Sequence, residues 1–135
     1  MKLKKIIPNL SLKEKVSLLS GFDNWYTPEL KKYGIPKLKM SDGPNGVRGD
    51  SNTPQTSACF PSPILLGATW NEKLIKKIGS ATGEEALFKD VDVLLAPTIN
   101  LHRHPLGGRH FECYSEDPVL TSKIACAYVS GVQSK

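Results

Sequence analysis

No run of apolar residues in this chain approaches the roughly 20 that a membrane-spanning helix requires, so no membrane span is expected. Cysteine is scarce. Cys59, Cys113 and Cys126 are odd in number, and none belongs to a Cys-x-x-Cys pair, which argues for reduced thiols and a cytoplasmic setting. The basic opening has only Ile6-Ile7 before Pro8, too short for the apolar region of a signal peptide. No internal repeat and no low-complexity segment occurs. Length is the last shortage. The 135 residues suffice for one domain with a buried core, but a complete eight-stranded α/β barrel takes about 250 residues and rarely fewer than 200.

What is present is an ordinary globular composition, 39% hydrophobic and 23% charged, unlike that of a disordered tail. The net charge of +5 raises nucleic-acid binding. However, the lysines cluster at 2–5, 13–15, 31–39 and 73–77, alternating with apolar and acidic residues. That pattern suits solvated helix faces rather than a phosphate track, and no nucleic-acid partner is expected.

Ser11 and Glu14 form a Ser-x-x-Glu capping box, followed by an apolar stripe of Leu12, Val16 and Leu19 that Gly21 ends. A short helical turn is expected after Pro28. Lys37 to Ser41 alternates polar and apolar and reads as a strand; Gly49 to Thr56 is polar and turn-rich. Ile64 to Ala68 reads as a second strand. Asn71 caps a helix to about Phe88 whose apolar face is Leu74, Ile78, Ala81 and Ala86. Gly79 and Gly83 each weaken that helix by about 1 kcal/mol relative to alanine, so close packing against a neighbour is expected there. Val91 to Ala96, closed by Pro97, suits a strand buried on both faces. After a long polar loop from Thr98 to Glu116, Asp117 and Pro118 open a last helix whose buried side is Leu120, Ile124, Ala127, Tyr128 and Gly131.

Alternating strands and helices imply parallel β-α units, in which chemistry collects in loops after the strand C-terminal ends. Those loops hold Asp42 to Arg48 and Asn100 to Asp117. The Asp42 carboxylate can accept hydrogen bonds from paired hydroxyls of a sugar. Arg48, six residues on, can pair with it or donate to the same ligand. The plainer alternative is a turn-capping aspartate and a surface arginine.

The second loop gathers all three histidines, His102, His104 and His110, with Arg103, Arg109, Glu112, Glu116 and Asp117. The histidine spacing matches no common zinc pattern and the arginines oppose a cation, so no metal is expected. Glycoside hydrolysis needs two carboxyl groups, about 5–5.5 Å apart for retention of configuration, one of them with a raised pKa. Glu112 and Glu116 would approach each other if the loop were helical. The weightier alternative pairs Glu112 with a nearby arginine and gives Glu116 to the cap at Asp117.

Ser41-Asp42-Gly43-Pro44-Asn45-Gly46-Val47-Arg48-Gly49 resembles the Asp-Gly-Pro loop of family 3 glycoside hydrolases of the β-glucosidase type. Phe60-Pro61, Gly67-Ala68-Thr69-Trp70-Asn71, Glu84-Glu85-Ala86, the run Arg103 to Glu112, Tyr114 to Pro118 and Gly131-Val132-Gln133 fit that family in the same order. The resemblance runs from about Ser11 to Gln133. It implies an α/β fold, an incomplete N-terminal portion of a (β/α)8 TIM-like barrel, with one partial domain over residues 1–135. It also implies that Asp42, Arg48 and Arg109 bind the sugar, that Glu112 and Glu116 orient the arginines, and that His104 with Pro105 shapes the loop. The parent reaction would be double displacement on a β-glucoside or other small β-glycoside, with neither metal nor cofactor.

Cys113 departs from the pattern, standing where the family usually has an aromatic residue. No Lys-His pair follows Gly131-Val132-Gln133, and none of Asp23, Asp42, Asp50, Asp90, Asp92 or Asp117 sits in the Ser-Asp-Trp context of the family nucleophile. The expectation is a chain that carries part of a sugar-binding site and is inactive alone. The alternatives are a half that pairs with a separate C-terminal polypeptide, or a non-functional remnant.

Overall fold

The computed structural model describes residues 3–49 and 55–135. Asp50 and most of the polar stretch from Gly49 to Thr56 lie outside the described residues. The chain divides into two compact units, Met1–Met40 and Ser41–Lys135.

The first unit opens with α1 (Leu3–Ile6), a 3-10 turn over Ile7–Asn9, and α2 (Leu12–Ser17). The capping box at the start of α2 is formed as expected. The Ser11 amide and hydroxyl both donate to Glu14 Oε2 at 2.8 Å, and the Glu14 amide donates to Ser11 Oγ at 3.2 Å. The helix ends four residues before Gly21. The hydroxyls of Ser17 and Ser20 turn back onto the carbonyls of Glu14 and Ser17, which competes with a continuing helix. The stripe of Leu12, Val16 and Leu19 is exposed. A 3-10 turn at Lys31–Tyr33 follows Pro28, as the sequence suggests.

Glu14 has a carboxyl held below its ordinary value, first by the Ser11 amide and then by the Ser11 hydroxyl, because both donate to the charged form. A depressed folded-state pKa stabilises the cap above the unfolded value and loses that contribution as pH falls through the folded one. NMR is therefore expected to show the Ser11 and Glu14 amides losing their cap as pH falls below 4.5, the ordinary value for this group. Glu14→Gln should remove that pH dependence. An unchanged profile would show that the box does not depend on charge.

In the second unit, β1 (Met40–Asp42) contributes Ser41 and Asp42 and pairs with β2 (Val93–Leu95). β1 lies later than the strand expected from Lys37 to Ser41. Between the two strands come α3 (Pro63–Ala68) and α4 (Glu72–Phe88). α3 corrects the expected strand from Ile64 to Ala68. Pro63 occupies the first helical turn, where its missing amide costs nothing, and the buried residues Pro63, Leu66 and Gly67 follow helical spacing.

α4 begins as expected, with Asn71 Oδ1 accepting from the Leu74 amide at 3.0 Å. Its buried face is Ile75, Gly79, Thr82, Gly83 and Ala86, rotated from the expected one, so that Leu74 and Ala81 are exposed. The glycines face α5 (Pro118–Val132), where Asp117 Oδ1 accepts from Val119 at 2.7 Å. A Cβ on Gly79 would run into the Tyr128 carbonyl, and one on Gly83 would come within 2.6 Å of the Val132 carbonyl oxygen. The core of the unit is Leu66, Ile75, Tyr114, Leu120, Ile124 and Tyr128. β2 is not buried on both faces: Val93 and Leu95 are exposed and only Leu94 is partly covered. Among the described residues the sheet has two strands, too few to enclose either face.

Candidate functional site

The loop after β1 closes on itself through backbone bonds. The Arg48 amide donates to the Asp42 carbonyl at 2.9 Å, and Ser41 Oγ accepts from the Gly49 amide at 2.9 Å while donating to the same carbonyl. Asp42 and Arg48 thereby emerge side by side. Gly46 adopts φ 138°, a conformation that favours glycine, and a Cβ there would collide with the Ala58 carbonyl. The loop lies against the segment Ser57 to Phe60, with the Phe60 amide donating to the Asn45 carbonyl at 2.7 Å.

An open cavity of about 550 Å³ lies over this loop, lined by Asp42, Arg48, Arg109 and Glu112, with Asn45, Ser57, Cys59, Leu95 and Thr98 around them. Arg109 arrives from the second polar loop, just ahead of a 3-10 turn over His110–Glu112. Its Nε donates to both Glu112 carboxylate oxygens at 3.0 Å, and its Nη2 makes a further short bond to Oε2. Those hydrogen bonds and the Glu112 charge raise the Arg109 pKa above the ordinary guanidinium value, and Asp42 adds to the effect. Glu112 thus fixes the fork, and the planar guanidinium keeps further donors for a ligand.

Four of the six residues singled out in the sequence meet at this cavity: Asp42, Arg48, Arg109 and Glu112. His104 lies off it. It is exposed, and its Nδ1 accepts from the Leu106 amide at 3.2 Å, while its carbonyl accepts from the Gly107 amide at 2.9 Å. Glu116 is also exposed and off the cavity, and the Asp117 amide is held instead by Ser115 Oγ at 3.0 Å. The chain is extended at Cys113, so Glu112 and Glu116 are not one helical turn apart.

The rings of His102 and His110 stack at 4.8 Å behind the loop, and His102 Nε2 lies 3.1 Å from the Cys113 carbonyl. Among the described residues no three His, Cys, Asp or Glu side chains converge as a metal site would require. Cys113 is buried, with its thiol 3.7 Å from the Arg109 carbonyl. Burial first, then the Glu112 charge, pushes its pKa up, which suits an inert thiol.

The sequence did not reveal the pair beneath the cavity floor. Glu85 and Lys89 stand one turn apart on and just beyond α4, with Lys89 Nζ 2.8 Å from Glu85 Oε1 and its side chain 1% exposed. The i, i+4 spacing was the available signal, but it marks surface pairs equally well.

The profile of the glycosyl hydrolase family 3 N terminal domain matches residues 6–135. A beta-glucosidase of Rhizobium radiobacter is 53% identical over 132 residues, covering 96% of this chain and 16% of that protein. Thermostable beta-glucosidase B of Acetivibrio thermocellus is 42% identical over 141 residues, covering 98% of this chain and 19% of that protein. Among solved structures, a beta-glucosidase from Kluyveromyces marxianus in complex with glucose superposes with a TM-score of 0.89 at 39% identity, over 98% of this chain and 16% of that one. Beta-glucosidase 3B from Thermotoga neapolitana in complex with glucose gives 0.84 at 40% identity, over 99% and 22%. The chain therefore spans about a fifth or less of the length of these relatives. With the family profile covering nearly all of it, the chain belongs to glycosyl hydrolase family 3 and matches the family's N-terminal domain.

Proposed function

We propose that this chain supplies the sugar-holding part of a β-glucosidase-type glycosidase site, with glucose as the recognised ring. The observation that carries this reading is the meeting of Asp42, Arg48 and Arg109 on one cavity. A carboxylate and two guanidinium groups offer the acceptors and donors that the vicinal hydroxyls of a neutral sugar require. Glu112 holds Arg109 in place for that task. Support comes also from relatives named as beta-glucosidases, two of them solved with glucose. The order β1, α3, α4, β2, α5 suits the opening of a (β/α)8 barrel, whose ligands lie at the strand C-terminal ends. The whole reaction would be a retaining double displacement. In it Asp42, Arg48 and Arg109 would hold the sugar, and Glu112 is engaged by Arg109.

Calorimetric titration of this polypeptide with glucose is expected to give saturable heat, with no release of nitrophenol from an aryl β-glucoside. Arg109→Lys, which keeps the charge but loses the fork, should weaken glucose about tenfold. Absence of heat from the unaltered chain would overturn the sugar reading. Turnover that disappears in Asp42→Ala would overturn the division between holding and cleaving.

A further inference from the structure

A buried ammonium needs compensation, since removing it from water is costly even after relaxation. Lys89 is 3% exposed, and among the described residues its ammonium donates to the Val47 carbonyl at 2.6 Å, Ser57 Oγ at 2.5 Å and Glu85 Oε1 at 2.8 Å. Glu85 in turn accepts from the Ala58 amide at 3.0 Å and, through Oε2, from the Val47 amide at 3.4 Å. Ser57 closes the ring by donating to the Val47 carbonyl at 2.7 Å.

Two backbone segments at the cavity, 10 residues apart in sequence at Val47 and Ser57, are thus fastened to one helix end. Both backbone polar groups of Val47 are occupied, and the residue itself is fully buried. The next residue is Arg48. Ala58 stands beside Cys59 on the cavity wall.

We infer that Glu85 and Lys89 are positioning residues, which act through Val47 and Ala58 to hold Arg48 and the facing wall at the separation a sugar needs. This rests on the sugar reading of the cavity. An apolar pair of similar volume would fill the same space without fixing where Val47 lies, and it is that fixing, rather than stability, that the two charges provide.

Lys89→Met and the smaller change Glu85→Gln, each in the full chain, test the inference by two readouts. In Lys89→Met, hydrogen exchange at the Val47 and Ala58 amides is expected to quicken about tenfold while the Ile75 and Ile124 amides stay protected. Glucose binding is expected to weaken about tenfold. Combined with Arg48→Ala, Lys89→Met should add little further loss, because both changes remove the same contact. Glu85→Gln should move both readouts the same way and serves where Lys89→Met fails to fold.

Unchanged glucose affinity in the folded variants would overturn the inference, as would full additivity with Arg48→Ala. Faster exchange throughout α4 and α5 would mark a merely structural pair and overturn it too. The sugar reading fails separately, by absence of glucose binding in the unaltered chain. The positioning role would fall with it, even if the Val47 and Ala58 amides still responded together.

Discussion

Replacing Asp42 with alanine is expected to weaken glucose binding at least about a hundredfold, the largest loss of any single change at the cavity. Two hydrogen bonds from sugar hydroxyls to a carboxylate contribute about 1.5–3 kcal/mol each, and the tenfold unit is about 1.4 kcal/mol. The loop would survive the change, because its closure uses the Asp42 carbonyl and the Ser41 hydroxyl rather than the Asp42 side chain. Thermal unfolding should therefore stay within a few degrees while calorimetric heat disappears. Asp42→Asn keeps the shape and loses the charge, so an intermediate loss is expected. Glucose affinity equal to that of the unaltered chain in Asp42→Ala would remove Asp42 from the proposed site.

The second large effect concerns the packing of α4 against α5. A Cβ on Gly131 would run into the Lys76 carbonyl and lie 2.8 Å from the Ser80 amide nitrogen. Gly79 faces it from α4, within 3.0 Å of that same Cβ. These are backbone atoms on both sides, so relief requires the helices to move apart and uncover Ile75, Ile124 and Tyr128, all close to fully buried. Gly131→Val is expected to cost more than about 3 kcal/mol, beyond ordinary overpacking, from a total margin of about 5–15. Urea unfolding followed by circular dichroism measures this. Alanine at the same position supplies the sign: in an uncrowded helix Gly→Ala gains nearly 1 kcal/mol, whereas here Gly131→Ala should destabilise. A gain would mean that the helices have room to spare.

Local chemistry was readable in the sequence. Ser11 with Glu14, Asn71 and Asp117 all cap the helices they announce, since a cap is decided within four residues. The close approach implied by Gly79 and Gly83 is present as well. Ile64 to Ala68 was misread because a short apolar run has no period, and Pro63 decided the outcome. β2 was misread because an apolar composition does not say what covers it. At the site, the Asp-Gly-Pro loop and the Arg109 segment line one cavity, while His104 and Glu116 lie to the side. Glu85 stands in one of the family motifs, but its pairing with Lys89 is not legible there, because the partners of the two, Val47, Ser57 and Ala58, lie 27 to 42 residues away along the chain. No local pattern records such bonds.

The three cysteines occupy three different settings. Cys59 is exposed on the cavity wall, Cys126 is exposed on α5, and Cys113 is buried behind Arg109. With Cys126→Ser, a thiol-directed fluorophore would therefore address the cavity rim alone, since the Cys113 thiol is both covered and hard to ionise. The fold thus carries its own attachment point for an optical reporter, one that would read occupancy of the cavity without any change to the residues proposed to hold a sugar.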